Sequence, residues 1–73
     1  MEQAELKKFS SIASDMQLTQ DIRSKAIEQM GHIGSREALL ALLDLAANER
    51  LPFKERDLAL KLARDVIKKT TQH

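Results

Sequence analysis

The chain contains no cysteine, tryptophan or tyrosine, and only one proline and two glycines interrupt its 73 residues. Without cysteine there is no disulfide to stabilise the fold and no thiol for chemistry, which suits an intracellular protein. Without tryptophan and tyrosine, the aromatic platforms on which nucleic-acid bases stack are missing. No apolar run approaches the length of a membrane span and no signal-peptide pattern opens the chain, so we expect a cytoplasmic protein with no membrane partner.

The charge is nearly balanced, with 12 basic and 11 acidic side chains. Residues 1–48 carry five basic and seven acidic side chains, and residues 49–73 carry seven basic and four acidic ones. This asymmetry is small for a nucleic-acid-binding protein. Leucine, alanine, lysine, glutamate, glutamine and arginine dominate the composition, and all of them are good helix formers. The composition therefore favours an all-α protein.

Two helices are predicted in the first half of the chain, over roughly 2–14 and 20–31, each with apolar residues spaced three and four apart. The first stripe consists of Leu6, Phe9, Ile12, Ala13 and Met16. The second consists of Ile22, Ala26, Met30 and Ile33, with Ile27 at its margin. Thr19 is expected to cap the second helix and Gly34 to end it, because a residue past a helix end often adopts a left-handed conformation.

Two further helices are predicted over roughly 36–48 and 52–69. Ser35 is expected to cap the third helix. Pro52 fits the first position of the fourth helix, and Lys68 and Lys69 suit its C-terminal end. The third helix has leucine or alanine at most positions, which predicts burial on most of its sides.

A shift of 33 residues aligns the first pair of helices with the second. Five aligned positions are identical: Leu6 and Leu39, Ala13 and Ala46, Leu18 and Leu51, Arg23 and Arg56, and Ala26 and Ala59. At several more aligned positions, an apolar residue of the first pair of helices corresponds to a different apolar residue of the second pair. A repeat of helix pairs with this period is typical of an α-solenoid.

The segment IRSKAIEQMGHIG carries the most specific motif, formed by Ile22, Arg23, Ala26, Met30, Gly31, Ile33 and Gly34. It resembles the second helix of a HEAT-like repeat, Val/Ile-Arg-x-x-Ala-x-x-x-Leu-Gly-x-Ile-Gly. The resemblance implies one HEAT-like domain over 1–73, with repeats at 2–34 and 35–69 that form two stacked antiparallel helical hairpins. It also implies that Arg23 pairs with an aspartate, for which the candidates are Asp15, Asp21 and Asp57.

The second repeat departs from the motif at three positions. Glu55 stands where a hydrophobic residue belongs, and Arg64 and Ile67 stand where the two glycines belong. The last helix is therefore expected to continue past the usual stop, as in a terminal unit. In the 33-residue alignment, three polar residues of the first helix correspond to Leu40, Leu43 and Ala47 of the third: Lys7, Ser10 and Ser14. This polar surface is typical of an N-terminal capping repeat.

In related α-solenoids, the second helix of each hairpin presents the contact surface. We therefore expect a non-catalytic protein–protein interaction or scaffold module, which binds a protein partner or a second copy of itself. The predicted contact residues are Lys25, Glu28, Gln29, His32, Leu58, Lys61, Leu62 and Asp65. Two alternatives stay open for Leu58 and Leu62, which are either buried by a slight rotation of the last helix or in contact with a partner. About three repeats are normally needed for a continuous core, so a dimer, a partner or a compact closure is expected to supply the rest.

Nucleic-acid binding through the basic fourth helix is the alternative function. Lys54, Lys61 and Lys68 recur every seven residues, but Asp57 and Asp65 interrupt the same face and favour local ion pairs.

No catalytic residue, cofactor or metal site is expected. The serines have no obvious base, and Glu28 and His32, four residues apart, supply only two ligands, which make a poor metal site. The other histidine, His73, is the last residue and is expected to be mobile.

Overall fold

The computed structural model describes residues 2–71 and places four α-helices in them, with no strand in that range. The helices are α1 (Glu2–Ala13), α2 (Gln20–Ile33), α3 (Arg36–Ala46) and α4 (Phe53–Thr71). The predicted all-α class with four helices is confirmed. The expectation for His73 lies outside the described residues.

Side chains and one glycine set the limits of α2 and α3, as the sequence predicts. Thr19 Oγ1 accepts a hydrogen bond from the Ile22 amide at 3.3 Å, and Ser35 Oγ accepts one from the Ala38 amide at 3.1 Å. Gly34 follows α2 with a φ of 62°, and its amide donates to the Met30 carbonyl. The helix therefore ends at Ile33, two residues beyond the predicted end, because Gly34 and not the earlier glycine turns the chain.

The two ends of α4 differ from those of α2. Pro52 precedes α4, and its carbonyl accepts hydrogen bonds from the Glu55 and Arg56 amides. It therefore occupies the capping position and not the first helical position that the sequence predicts. At the other end, α4 continues through Arg64 and Ile67 to Thr71, because neither residue stops a helix as Gly34 does. The predicted extension of the last helix is confirmed.

The helices pair in chain order: α1 packs on α2 to form the first hairpin, and α3 packs on α4 to form the second hairpin. In the second hairpin, Leu39 near the start of α3 lies beside Val66 near the end of α4. Ala46, the last residue of α3, lies beside Phe53, the first of α4. The two helices of the second hairpin are therefore antiparallel.

The two hairpins meet mainly through α2 and α4. Arg23 contacts Glu55 near the starts of these helices, and Gly31 approaches Leu62 further along both. Because the contacts advance in the same direction along each helix, α2 and α4 run parallel.

All four helices contribute to one hydrophobic core. Its buried side chains are Leu6, Ala13, Ala26, Ile27, Met30, Ala38, Leu42, Leu45, Leu51, Ala59, Ala63 and Val66. Ile27, which the sequence places at the margin of the stripe, is completely buried, whereas Ile22 is 45% exposed. The sequence prediction is wrong for both residues. The reason is that the second hairpin covers the Ile27 side of α2, while Ile22 lies on the flank beside α1.

The burial of α3 is less complete than its sequence predicts. Leu40 is 54% exposed and Leu43 is 38% exposed. Among the described residues, α3 contacts α4, α2 and, weakly, α1, and no element covers its opposite side. The expectation that α3 is buried on most sides is therefore wrong for the isolated chain.

Candidate functional site

A buried ion pair joins the first turn of α4 to α2. Arg23 Nε donates to Glu55 Oε1 at 2.6 Å, and both side chains are buried. Arg23 Nη1 also donates to the Leu18 carbonyl, which lies just before α2. Loss of either charged partner would leave the other charge buried and unpaired, which is strongly unfavourable. The pair therefore fixes the position of α4 along α2.

Glu55 is the partner of Arg23, and the expectation of an aspartate is wrong. Asp15, Asp21 and Asp57 are all exposed. Asp57 lies two residues after Glu55, which corresponds to a rotation of about 200° around α4, so it faces away from α2. By the 33-residue alignment, Glu55 occupies the place that Ile22 has in the first hairpin. The residue that breaks the apolar pattern is thus the one that binds Arg23.

Gly31 allows α4 to approach α2 closely. A Cβ atom at this position would lie 3.2 Å from Leu62 Cδ1 and 3.3 Å from Leu62 Cβ. These distances are shorter than ordinary van der Waals contacts between carbon atoms. A glycine here therefore lets the Leu62 side chain rest on the backbone of α2.

An open groove of about 320 Å³ lies beside this contact, between the second halves of α2 and α4. Its apolar part is formed by Gly31, Leu62 and Val66. Its charged or titratable part is formed by Glu28, His32, Asp65 and Lys69. Each helix thus contributes one acidic and one basic group, spaced by one helical turn. Such a groove can accept an apolar side chain and orient it through charges of both signs.

The groove brings together four of the eight predicted contact residues: Glu28, His32, Leu62 and Asp65. Lys25 and Gln29 line a separate depression on the other flank of α2, beside α1. Lys61 is exposed on α4 outside the groove. Leu58 and Leu62 are both half-buried and pack against the core, and Leu62 also lines the groove, so the two alternatives considered for them stay open.

Comparison with protein-family models, curated proteins and solved structures found no match for this chain. The resemblance of residues 22–34 to a HEAT-like repeat therefore stays a prediction. The division of the chain into repeats at 2–34 and 35–69 also stays a prediction.

Sequence reasoning missed Gly31, Val66 and Lys69 as parts of the groove. Lys69 follows Asp65 by four residues and Leu62 by seven, so its place on the same face of α4 could have been found from helical spacing. Gly31 follows Glu28 by three residues and Val66 follows Leu62 by four, so the same spacing argument places them on these faces. That the two faces meet depends on how far α4 is shifted along α2, which only the contact between the helices determines.

The described residues contain neither a metal-binding cluster nor a membrane-spanning helix. No three of their histidine, aspartate or glutamate side chains lie close enough together to hold a metal ion. No helix within residues 2–71 combines the length and the apolar character that crossing a membrane requires.

Proposed function

We propose that this chain is a non-catalytic protein-binding module that holds a segment of a protein partner in the groove between α2 and α4. The observation that supports this role is the composition of the groove. The half-buried Leu62 offers apolar area beside Gly31 and the almost fully buried Val66, while charged groups surround it. Protein interfaces commonly combine an apolar centre with a polar rim.

The size and charge of the groove indicate the chemistry of the segment. A volume of about 320 Å³ is at the small end of the range for binding pockets, enough for one or two apolar side chains. Glu28 and Asp65 would attract basic groups on either side of that side chain, and Lys69 would attract an acidic one. The partner segment that fits best carries an apolar anchor residue between charges of both signs.

We also propose that the chain is a single HEAT-like domain of a cytoplasmic protein. The pairing of the helices in chain order and the parallel packing of α2 on α4 support this assignment. In such a stack, the second helix of each hairpin contributes to one continuous surface. The groove lies on that surface.

Selection of peptides from a random phage-displayed library against the wild-type chain tests the binding role. The groove variant is Lys69→Glu, and its matched control is Lys61→Glu, which makes the same change on the exposed surface of α4 outside the groove. We expect enriched peptides to bind the wild type and the control equally, and to bind Lys69→Glu at least about tenfold more weakly. Failure of any peptide to be enriched, or equal binding to all three chains, would overturn the proposal.

Nucleic-acid binding by α4 is the second candidate. It is favoured by the exposure of Lys54, Lys61 and Lys68, which lie along one line of the helix. Phosphate binding by these lysines would weaken steeply between about 50 and 200 mM salt, whereas binding in the groove, which combines the apolar Leu62 with a few charges, would weaken less. Fluorescence anisotropy of a labelled DNA duplex over this salt range separates the two functions, and a lack of binding at low salt would eliminate the second.

A further inference from the structure

Helix α4 has a second apolar face, on the side opposite the groove. Phe53, Leu60 and Ile67 recur every seven residues and therefore lie on one face. Phe53 is 71% exposed and Ile67 is 44% exposed. Leu62, which packs on α2, lies about 200° around the helix from Leu60. The second apolar face thus points away from the first hairpin.

Helix α3 extends this surface. Leu39 lies beside Ile67 in a depression of about 310 Å³ between α3 and α4. Ala46 lies beside Phe53 and Leu60 in a second depression of about 180 Å³ between the same helices. Leu43 lies between Leu39 and Ala46 on the same side of α3 and is exposed. We call this surface the outer face, and define it as Leu39, Leu43, Phe53, Leu60 and Ile67.

The outer face places large exposed apolar side chains next to one another. Phe53 is 71% exposed, Ile67 44% and Leu43 38%. The centre of a protein interface is formed by apolar and aromatic side chains of this kind.

Two charges of opposite sign, Asp57 and Arg64, flank the apolar residues of the outer face on α4. Along α4, Asp57 lies between Phe53 and Leu60, and Arg64 lies between Leu60 and Ile67. The two apolar residues lie seven positions on either side of Leu60, and the two charges lie three positions before it and four after it. If α4 of a second copy packed antiparallel against α4, Phe53 of each copy would lie against Ile67 of the other. Asp57 of each copy would likewise lie against Arg64 of the other. The occupant that matches both the apolar residues and the charges is another copy of the same face.

We propose that the outer face docks against the outer face of a second copy of this chain, with the two α4 helices antiparallel and a two-fold axis beside Leu60 and Leu43. An interface of this kind closes on itself and stops at a dimer. The groove between α2 and α4 lies on the other side of α4 and stays accessible in both copies. The dimer thus goes beyond the proposed binding role and does not depend on it.

Light scattering coupled to size exclusion, over a concentration series, tests the dimer with two matched variants. Ile67→Glu places a charge in the outer face. Ile22→Glu is the control: it makes the same change outside that face, and Ile22 is as exposed (45%) as Ile67 (44%). We expect the wild type and Ile22→Glu to show twice the monomer mass of 8.3 kDa, and Ile67→Glu to show the monomer mass with an unchanged helical spectrum. A monomeric wild type, or an Ile67→Glu variant that dimerises like the wild type, would overturn the proposal and leave the face to another partner or to none.

A charge exchange tests the two-fold arrangement itself. Asp57→Arg and Arg64→Asp each place like charges opposite one another in a symmetric dimer, and we expect each variant alone to dimerise at least about tenfold more weakly than the wild type. An equimolar mixture of the two variants restores both opposite-charge pairs and should form a dimer of one copy of each. If the mixture stays monomeric, or if each variant alone dimerises as the wild type does, the antiparallel pairing is wrong. Lys69→Glu, which alters only the groove, should leave the dimer intact.

Discussion

Arg23 Nε and Glu55 Oε1 are 2.6 Å apart in the core, although the two residues are 32 positions apart in the sequence. Their contact joins the two hairpins through one buried ion pair. The other carboxylate oxygen, Glu55 Oε2, is buried and makes no hydrogen bond within the described residues. The pair therefore specifies the position of α4 at some cost in stability, because one buried polar atom stays unsatisfied.

Removal of one partner should destabilise the fold severely. We expect Arg23→Met or Glu55→Ile to lower the free energy of unfolding by about 3–5 kcal/mol, because the remaining charge is buried without a partner. This is a large share of the roughly 5–15 kcal/mol that stabilises a typical domain. Urea unfolding followed by far-UV circular dichroism measures the loss. The control is the double variant Arg23→Met/Glu55→Ile, which buries no charge and should recover most of the stability. A double variant no more stable than either single one would contradict the role of the pair.

The sequence predicts correctly those features of the fold that local chemistry determines. Thr19 and Ser35 cap their helices and Gly34 ends α2, because each acts on backbone groups within four residues of its own position. The extension of α4 also follows from local chemistry, since Arg64 and Ile67 replace residues that would stop a helix.

The sequence does not predict features that depend on how α2 and α4 are placed against each other. Helical spacing identifies an apolar stripe but not which neighbour covers it, so Ile22 and Ile27 exchange their expected environments. In the sequence, Glu55 is only a departure from the apolar pattern of the repeat. Its role becomes clear from its contact with Arg23 in the structure. The same reason explains why only half of the predicted contact residues meet in the groove.

The contact between Gly31 and Leu62 predicts a measurable coupling. Gly31→Ala should gain most of the roughly 1 kcal/mol of helix propensity when Leu62 is replaced by alanine, because the two crowding Cδ atoms are then absent and only the Cβ contact remains. In the wild type the same change should gain less, since Leu62 must shift by a few tenths of an ångström. Urea unfolding of the four chains gives the interaction energy, which we expect to be roughly 0.5–1 kcal/mol. Purely additive effects would show that the approach of the two helices is looser than the structure indicates.

The residues that limit α2 and α3 should each contribute a predictable amount. Gly34→Ala is expected to lower the free energy of unfolding by about 1 kcal/mol, because alanine is strained at a positive φ. Thr19→Ala and Ser35→Ala should each cost about 1 kcal/mol through the loss of a hydrogen bond to a free amide. Ser11→Ala, at an exposed position inside α1, is the control and should change the stability by no more than a few tenths. Equal effects of all four changes in chemical denaturation would contradict these assignments.

An amide NMR titration of the wild-type chain with a peptide enriched on it tests the binding role most directly. If the groove between α2 and α4 is the binding site, the shifts saturate and concentrate at Glu28, Gly31, His32, Asp65 and Lys69. Shifts centred instead on Phe53, Leu60 and Ile67, or shifts that never saturate, would contradict it.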